Sequence, residues 1–461
     1  MESIAVHLPS ELFERYARPG PRYTSYPPAT QWTHEVGPEE LTRRLALADT
    51  RADEPVSFYV HLPFCRRLCT YCGCNVVVTN RHERVDRYLG YVAREMDLVG
   101  AHLRRRRKVA QLHLGGGTPT FLDERQLLQL WREVTARFEI LPEAEVALEA
   151  DPVVTTTEQL ALLRGLGFNR LSMGIQDFTA EVQEYVGRIQ SVEQTRRLYE
   201  YARKIGYQGM NFDLIYGLPK QRLETFDRTL DEVLGMRPDR VALFNYAHVP
   251  WMRPHQKKFD EALIPRPPEK LELFQHARQR FLAAGYVVIG MDHFALPEDE
   301  LSRARVARRL HRNFQGYTVL PSSDLLAFGV TGISDVAGCY AQNLKPLAEY
   351  YRRLDEGRLV TERGWVMTDE DRVRRELIER VMCNFYVDLD ELARAHGIDA
   401  GQAFDRELEE LDAMQEGGLL VRRGRTVEVT PLGQMLVRNI AMVFDPYLRQ
   451  APRTQAFSST I

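Results

Sequence analysis

Six short apolar runs rich in β-branched residues recur along the middle of the chain and narrow the choice of fold more than any other feature. Segments with helical periodicity separate these runs, for example residues 83–103. Near-continuous apolar strands that alternate with helices are typical of a parallel sheet covered on both faces. The runs are SFYVHLP, VAQLHLGGG, AEVALEADP, RLSMGIQDF, MNFDLIYGLP and RVALFNYAHVP. The pattern predicts an α/β fold with six βα units, arranged as a partial barrel or a doubly wound sheet.

Polar residues and glycines follow these runs at the positions where the strands would end. In a parallel α/β fold the carboxyl ends of the strands meet at one edge, which carries the chemistry. Glycine and aspartate are common turn formers, but six such ends in succession are hard to explain by turns alone. The residues at the later ends include Gly115, Gly116, Gly117, Thr118, Glu149, Asp151, Gln176, Asp177, Asp213, Tyr216, Asn245 and Tyr246. We therefore expect a functional site at this edge.

The glycine run GGGTPT lacks the Gly-Lys-Ser/Thr ending of a phosphate-binding P-loop and the G-x-G-x-x-G spacing of a dinucleotide site. Its three glycines still let the backbone approach a ligand closely, with amides as donors and carbonyls as acceptors. The run therefore suits an amino-acid-like ligand.

Four of the six cysteines lie in the loop after the first run, at Cys65, Cys69, Cys72 and Cys74. Their close spacing, C-x3-C-x2-C-x-C, disfavours disulfides because of strain, so the thiols are expected to bind metal. They could close a tetrahedral zinc site or hold an iron–sulfur cluster. The spacing favours a cluster, since structural zinc sites usually combine two separated C-x2-C pairs. With three ligands to a four-iron cluster, one iron would remain open for another ligand.

The chain of 461 residues is long enough for two or three domains. Its 27% charged residues and formal net charge of −3 give no signal for binding nucleic acid or a membrane. The first residues carry no recognisable secretory signal, and no apolar stretch reaches the ~18 residues of a membrane span. We expect a cytoplasmic protein without nucleic-acid or membrane partners.

The ends of the chain differ from its middle. Residues 1–35 contain GPRYTSYPPATQW, which predicts an irregular arm that packs on a domain or covers a pocket. Arg22, with Tyr23 and Tyr26, could meet an aromatic, acidic ligand there. Residues 36–364 form the predicted catalytic domain. Residues 365–461 show helical segments and a hairpin, LLVRRGRTVEVTPLG, which predict a mostly helical, winged-helix-like domain.

The helices of that last domain are acidic, for example in DRELEELDAMQEG. Acidic helices oppose contact with nucleic-acid phosphates, so we expect a structural or lid domain. The basic run at residues 104–108 is expected to be a solvated cap at the end of the 83–103 helix.

The motif C-x3-C-x2-C after a first strand, with Tyr71 before the third cysteine, resembles the radical S-adenosylmethionine (radical SAM) enzymes. From Gly20 to Ile461 the chain is similar to the oxygen-independent coproporphyrinogen III oxidase family. The similar segments are GPRYTSYP, FYVHLPFCRRLCTYCGCN, HLGGGTPT, LSMGIQDF, DLIYGLPKQ, FNYAHVP, MDHFALP, RNFQGYT and CYAQN. The related haem-chaperone branch has Y-C-D-F where this chain has Y-C-G-C. The resemblance implies a radical SAM partial (β/α)6 barrel.

The resemblance also implies the roles of individual residues. Cys65, Cys69 and Cys72 would ligate a [4Fe–4S] cluster, and Cys74 would be a fourth cysteine that is needed for activity without being a ligand. Two S-adenosylmethionine molecules are implied. The first would contact Tyr59, Gly116 and Glu149. The second would contact Tyr71, Gly117, Thr118, Gln176, Arg188, Asp213, Ala247 and Ile333. Arg22 would be a candidate to bind a substrate propionate.

The activity that the resemblance implies is the anaerobic oxidative decarboxylation of two propionate side chains of coproporphyrinogen III to vinyl groups. The product would be protoporphyrinogen IX in haem biosynthesis, formed after a 5′-deoxyadenosyl radical abstracts a hydrogen. The expected partner is an electron donor such as flavodoxin or ferredoxin, and the enzyme is expected to be a monomer. Two alternatives remain open, a radical SAM enzyme acting on another tetrapyrrole and a haem-binding chaperone.

Overall fold

The computed structural model describes residues 7–320 and 324–450, together with Phe457 and Thr460. Within these residues the chain forms two compact units. The described residues of the first unit are 7–32, 278–320 and 367–450, with Phe457 and Thr460, and those of the second are 33–277 and 324–366. No helix in the described part of the chain combines the length and the hydropathy that a membrane crossing requires.

The second unit is built on a sheet whose six central strands are parallel and adjacent in chain order. The strands are β1 Val56–Leu62, β2 Lys108–Gly116, β3 Glu139–Ala150, β4 Arg170–Gln176, β5 Gly209–Tyr216 and β6 Arg240–Asn245. The helices that connect them are His82–His102, Glu124–Thr135, Thr157–Gly165, Ala180–Val186, Val192–Lys204 and Leu223–Met236. This architecture confirms the predicted α/β fold with βα units.

The core of this unit lies on both faces of the sheet, which explains the near-continuous apolar runs. In β1, for example, Phe58, Val60 and Leu62 are all buried. Each fully buried large apolar side chain contributes about 1.5–3 kcal/mol relative to exposure. Capping boxes at Asp123 and Thr156 satisfy the first backbone N–H groups of two connecting helices.

Four further strands extend the sheet beyond β1. They are β7 Leu325–Phe328, parallel to β1, and the antiparallel strands β8 Ile333–Val336, β9 Cys339–Asn343 and β10 Thr361–Val366. The helices Pro38–Ala48 and Leu347–Asp355 also belong to this unit, and a helix at Pro267–Ala283 follows β6. Short 3-10 helices lie at Pro119–Phe121, Pro254–Lys258 and Glu261–Leu263.

The prediction that the whole basic run at residues 104–108 is solvated was wrong for Arg106, which is fully buried. Its guanidinium pairs with Asp324 and donates to the carbonyl oxygens of Glu54 at 2.7 Å and Pro55 at 3.2 Å. A buried charge persists only when it is paired and hydrogen-bonded. Because the partner lies 218 residues away in the sequence, no local pattern could indicate it.

The first unit is mostly helical in its C-terminal part. Its helices are Ser10–Tyr16, Glu300–Val306, Asp369–Asn384, Leu389–His396, Ala400–Ala403, Asp405–Glu416, Val437–Val443 and Tyr447–Gln450. The predicted hairpin is present as strands Leu420–Arg423 and Thr426–Val429, which Tyr386–Asp388 extends to three strands. Val287–Gly290 pairs antiparallel with His293–Ala295, and His311–Arg312 and Tyr317–Thr318 form a separate two-stranded sheet.

Two features of this unit were not predicted from the sequence. The helix Ser10–Tyr16 lies in the arm that was expected to be irregular, although GPRYTSYPPATQW itself holds no helix. The predicted limits of the catalytic domain, residues 36–364, stay a prediction, although the described residues 278–320 group with this unit. The reason is a set of long-range contacts, such as the edge-to-face pair of Trp32 and Phe314 and the Leu310 N–H that donates to Asn384. The ends of the predicted arm and C-terminal domain, at residues 1–6, 451–456, 458–459 and 461, lie outside the described residues.

Candidate functional site

The four clustered cysteines lie on a loop that a two-stranded ladder closes. Phe64–Cys65 pairs in parallel with Val77–Val78, immediately after β1. Inside the loop, the Cys72 N–H donates to the Cys69 carbonyl at 3.0 Å, which makes a turn between the second and third thiols. The N–H and the hydroxyl of Thr70 both donate to the carbonyl of Val186 at 3.0 Å. The loop is therefore held by backbone contacts at its base and at its middle.

The glycine run after β2 packs against the base of this loop. The Gly117 N–H donates to the Leu62 carbonyl at 2.9 Å, and the Thr118 N–H donates to the Phe64 carbonyl at 3.0 Å. The Thr118 hydroxyl lies 3.4 Å from the sulfur of Cys65. A Cβ atom on Gly117 would lie 2.8 Å from the Phe64 carbonyl oxygen, closer than real contacts allow. Glycine is required here because backbone meets backbone.

The protonation of the thiols depends on burial and on their neighbours. Burial raises the pKa of Cys65 to about 11 and also raises the pKa of Cys69. A hydrogen bond from the Cys74 side chain lowers the pKa of Cys72 to about 6. Thiolates are the metal-binding form, so ligation by Cys65 and Cys69 must release protons.

The sequence left two kinds of metal site open for these thiols. A structural zinc ion takes four ligands around one ion at about 2.0–2.3 Å. A four-iron cluster instead takes each thiolate on a different iron. The loop offers three partly buried thiols, Cys65, Cys69 and Cys72, while Cys74 is exposed. Three such thiols fit a cluster with one iron left open.

Arg188 connects the cysteine loop with the end of β4. Its guanidinium donates to the Gly174 carbonyl at 2.8 Å, lies 3.2 Å from Asp151 and hydrogen-bonds the thiol of Cys69. Its Nε is buried and has no hydrogen-bond partner among the described residues. Leaving a buried donor unpaired costs about 1–3 kcal/mol. A bound ligand can therefore accept a hydrogen bond from this N–H.

Gln176 ends β4 in a left-handed conformation, with a φ of 64°. Such a conformation is strained for a residue with a side chain and is concentrated at functional sites. A Cβ atom on Gly174 would lie 2.8 Å from the Gln176 amide nitrogen and 3.0 Å from the Arg188 guanidinium. The glycine thus makes room for both predicted ligand-binding side chains.

Gly116 and Glu149 lie at the ends of β2 and β3, and Tyr59 lies in the middle of β1. A Cβ atom on Gly115 would lie 2.9 Å from both the Tyr59 ring and the Glu149 carboxylate. The Gly116 N–H donates to the Glu149 carboxylate at 3.0 Å, and His113 Nε2 lies 3.5 Å from the other oxygen. The ring of Tyr59 stacks on His113 at 5.9 Å. Burial alone would raise the pKa of Glu149, but the hydrogen bonds from His113 and Gly116 lower it. The edge therefore holds an ionised carboxylate that can accept from a cationic or hydroxyl group.

One buried glutamine links Tyr71 to Ala247. The side-chain amide of Gln256 donates to the Tyr71 carbonyl at 3.1 Å and to the Ala247 carbonyl at 3.4 Å. Its neighbour His255 places Nε2 2.8 Å from the Cys72 carbonyl. The ring of Tyr71 packs against an apolar cluster of Val182, Val186, Leu218, Tyr246 and Phe259. The loop after β6 thus holds the third cysteine's segment in place.

Asp213 and Asn245 lie on β5 and β6. The Asp213 carboxylate accepts from the Ser172 hydroxyl at 2.9 Å and from the Asn211 amide at 2.8 Å. The Asn245 side-chain oxygen is buried and lacks a hydrogen-bond partner among the described residues. It is a second buried polar atom at the strand ends without a partner. It accepts hydrogen bonds, whereas Arg188 Nε donates them.

Comparison with known proteins decides the family. A profile described as "Radical SAM superfamily" matches residues 59–233, and one described as "HemN C-terminal domain" matches residues 367–436. Oxygen-independent coproporphyrinogen III oxidases from Synechocystis sp. and Escherichia coli are both 42% identical to this chain. The matches cover 99% and 98% of this chain, respectively, and 98% of each relative. The chain belongs to the oxygen-independent coproporphyrinogen III oxidase family.

A solved structure of Escherichia coli coproporphyrinogen III oxidase (HemN), described as a radical SAM enzyme, has the same fold. It matches with a TM-score of 0.91 at 40% identity and covers 96% of this chain and 100% of that chain. The radical SAM fold class predicted from the sequence is confirmed. Membership of the oxygen-independent coproporphyrinogen III oxidase family also makes a [4Fe–4S] cluster and S-adenosylmethionine the cofactors of this chain.

Several residues of this family member that shape the site were not predicted from the sequence. His61 and His113 stand inside apolar strand runs, where a lone histidine is a visible signal. His61 Nδ1 lies 3.1 Å from the Tyr59 hydroxyl, and Nε2 lies 3.2 Å from the Asn75 carbonyl. Gly174 and Gln256 carry no such signal, because their roles depend on side chains that only the fold brings near.

A buried carboxyl holds the turn before Ile333 and was also missed. Glu95 accepts from the Gly329 N–H at 2.7 Å, the Asn343 amide at 2.6 Å and the Tyr350 hydroxyl at 2.7 Å. Ile333, a predicted contact of S-adenosylmethionine, begins β8 just after this turn. Glu95 therefore fixes the β7–β8 turn that precedes Ile333.

Arg22 lies in the first unit, whereas the other candidate residues lie in the second. It forms an ion pair with Asp292, and its carbonyl accepts from Arg312. Asp292 also accepts from His293 at 2.8 Å. Burial alone would raise the pKa of Asp292, but the Arg22 charge and His293 hold it well below its ordinary value. A contact of Arg22 with a substrate propionate stays a prediction.

Proposed function

We propose that this protein is an oxygen-independent coproporphyrinogen III oxidase that converts coproporphyrinogen III to protoporphyrinogen IX in haem biosynthesis. The reaction is the anaerobic oxidative decarboxylation of two propionate side chains to vinyl groups. The observation that carries the proposal is the 42% identity, over 99% of the chain, to a Synechocystis relative named for this activity. The cysteine loop and the polar strand ends supply a site of matching chemistry.

Cys65, Cys69 and Cys72 would hold the cluster, since each is partly buried and their loop is anchored at its base and at its middle. When bound, the cluster and S-adenosylmethionine supply a 5′-deoxyadenosyl radical, which can remove a non-acidic hydrogen from a propionate β-carbon. The residues of this chain position the two cofactors and the substrate, and they keep water out.

Two sets of side chains would bind two S-adenosylmethionine molecules. Glu149 would accept from the first molecule, with Tyr59 and Gly116 beside it, because the carboxylate is ionised and lies at the strand edge. The unpaired Nε of Arg188 would donate to the second molecule. The further residues proposed for the second molecule are Tyr71, Gly117, Thr118, Gln176, Asp213, Ala247 and Ile333.

Cys74 would act in catalysis without ligating the cluster. It is the exposed member of the four thiols, and its backbone N–H donates to the Cys72 sulfur at 3.4 Å. That contact keeps the fourth thiol beside the site while leaving it outside the set of three partly buried thiols.

Further parts of the proposal concern the setting of the enzyme. It would be a cytoplasmic monomer that receives electrons from a flavodoxin or a ferredoxin. Arg22 would bind a substrate propionate, as its guanidinium is one-third exposed beside Asp292. The proposed domain limits are residues 1–35, 36–364 and 365–461.

Anaerobic incubation of the reconstituted protein with coproporphyrinogen III, S-adenosylmethionine and dithionite tests the activity. We expect mass analysis to show the loss of two CO2 per tetrapyrrole. Cys69→Ser is the control and should show neither the cluster nor any cleavage of S-adenosylmethionine. Cleavage by the unsubstituted protein without any decarboxylation would move the assignment to another tetrapyrrole.

A further inference from the structure

Four large apolar side chains are exposed on three segments around the cysteine loop. Leu68, Ile189, Trp251 and Met252 are exposed by 37%, 58%, 61% and 63%, respectively. Single exposed apolar residues are ordinary, but a group of them marks an interaction site. We call these residues, with the cations described below, the loop face.

Hydrogen bonds join the three segments of the loop face. Arg67, next to Leu68, donates to the carbonyl of Ile189 at 3.4 Å. His255, four residues after Trp251, lies 2.8 Å from the carbonyl of Cys72. The exposed apolar residues therefore lie on three segments that hydrogen bonds hold together.

The rim of the loop face is positively charged. It carries Arg66, Arg67, Arg253, Lys257 and Lys258, and none of these forms an ion pair within the described part of the chain. Residues 66–75, 186–190 and 248–258 contain no Asp or Glu, although the formal net charge of the whole chain is −3. Five unpaired cations on the same segments as the exposed apolar residues attract and orient an acidic protein.

We propose that the loop face docks an acidic one-electron carrier protein that reduces the cluster. In this step one electron leaves the reduced carrier and enters the cluster, so the carrier is oxidised and the cluster reduced, without transfer of a proton. Arg66, Arg67 and Leu68 lie between two of the thiols, so a protein on this face comes within a few residues of the cluster ligands. This inference rests on the proposed function.

The test is the reduction of the reconstituted cluster by reduced flavodoxin, followed by stopped-flow absorbance at several ionic strengths. We expect Arg66→Glu/Lys257→Glu/Lys258→Glu to lower the second-order rate constant about tenfold or more at low salt, with a flatter salt dependence. The control is Arg197→Glu/Lys204→Glu, which reverses two exposed cations on the helix Val192–Lys204 and should react like the unsubstituted protein. Dithionite-driven cleavage of S-adenosylmethionine should be the same in all of these proteins.

A second variant does not depend on charge. Trp251→Ala should lower the rate constant while keeping the salt dependence, because it removes a large, exposed apolar side chain from the loop face. Unchanged flavodoxin rates in both variants would overturn the proposal, as would an equal loss in the control. A change in sedimentation with unchanged flavodoxin rates would also overturn it, and would make the face an interface between copies of this chain. The proposed function is decided separately, by the dithionite assay with coproporphyrinogen III.

Discussion

At the scale of single residues, the site depends on its glycines, which have no side chain, as much as on its reactive groups. We predict that Gly117→Ala lowers bound iron and activity at least tenfold, since the new Cβ would push the Phe64 carbonyl away from the cysteine loop. Gly73→Ala, in the same loop, is the matched control because nothing lies within 4 Å of its added Cβ. Iron content and dithionite-driven cleavage of S-adenosylmethionine measure both effects. Equal iron content in the two variants would contradict the prediction.

The fourth thiol gives a second prediction at this scale. Cys74→Ser should keep the iron–sulfur absorbance and lose formation of the decarboxylated product, because Cys74 is the exposed thiol outside the proposed ligand set. Cys72→Ser should lose the absorbance as well. Iron analysis and product analysis on the same samples check both statements. Loss of iron from Cys74→Ser would show that the ligand assignment is wrong.

Glu95 makes the stability of the protein depend on pH. Burial raises the pKa of Glu95 from 4.5 to about 7, so the folded chain keeps a proton that the unfolded chain releases near pH 4.5. Stability therefore falls as the pH rises between these values, by at most roughly 3 kcal/mol. The side chain in Glu95→Gln cannot titrate. We therefore predict that the unsubstituted protein loses stability relative to this variant as the pH rises from 5 to 8. Urea unfolding of both proteins measures this difference in unfolding free energy, in which the other titrating groups cancel. A difference that stays constant with pH would contradict the prediction.

At the scale of elements, buried hydrogen bonds between loops position the cysteines. We predict that Gln256→Ala lowers stability by about 1–3 kcal/mol and weakens cluster retention, because it leaves the Tyr71 and Ala247 carbonyls without their shared donor. Gln208→Ala, at an exposed position, should change neither property. Denaturant unfolding and iron loss to a chelator measure the two effects. A stable Gln256→Ala protein that keeps its iron would contradict this account of the loop.

The helices and strands also show how much of the fold could be predicted from the sequence. The six parallel strands and the helix His82–His102 follow from local apolar periodicity, which is why they could be predicted. The expectation of a site at the strand ends followed from the same periodicity, since it places these ends on one edge, whereas the roles of the individual residues came from the family resemblance. Arg106 could not be placed, because its burial depends on Asp324, far away in the chain. The helix Ser10–Tyr16 is too short for its periodicity to be recognised.

At the scale of the whole molecule, neither compact unit is a continuous piece of the chain. The first unit combines an N-terminal, a middle and a C-terminal segment, and its contacts join them in pairs. The Tyr23 hydroxyl donates to Asp445 at 3.0 Å, and the Asn439 amide donates to the Tyr16 carbonyl at 2.9 Å. Both acceptors and donors in these pairs are buried, so separating them leaves unpaired polar groups.

This arrangement predicts the result of truncation after Val366. Removing residues 367–461 takes away the partners of residues 7–32 and of 278–320, and we expect both segments to become sensitive to protease. The helix His82–His102 belongs to the second unit and should stay protected, which gives a control within the same sample. Limited proteolysis with mass mapping of the fragments measures this. Protection of residues 278–320 in the truncated chain would show that their contacts with the first unit are not needed to order them. The predicted catalytic domain of residues 36–364 would then describe the chain better.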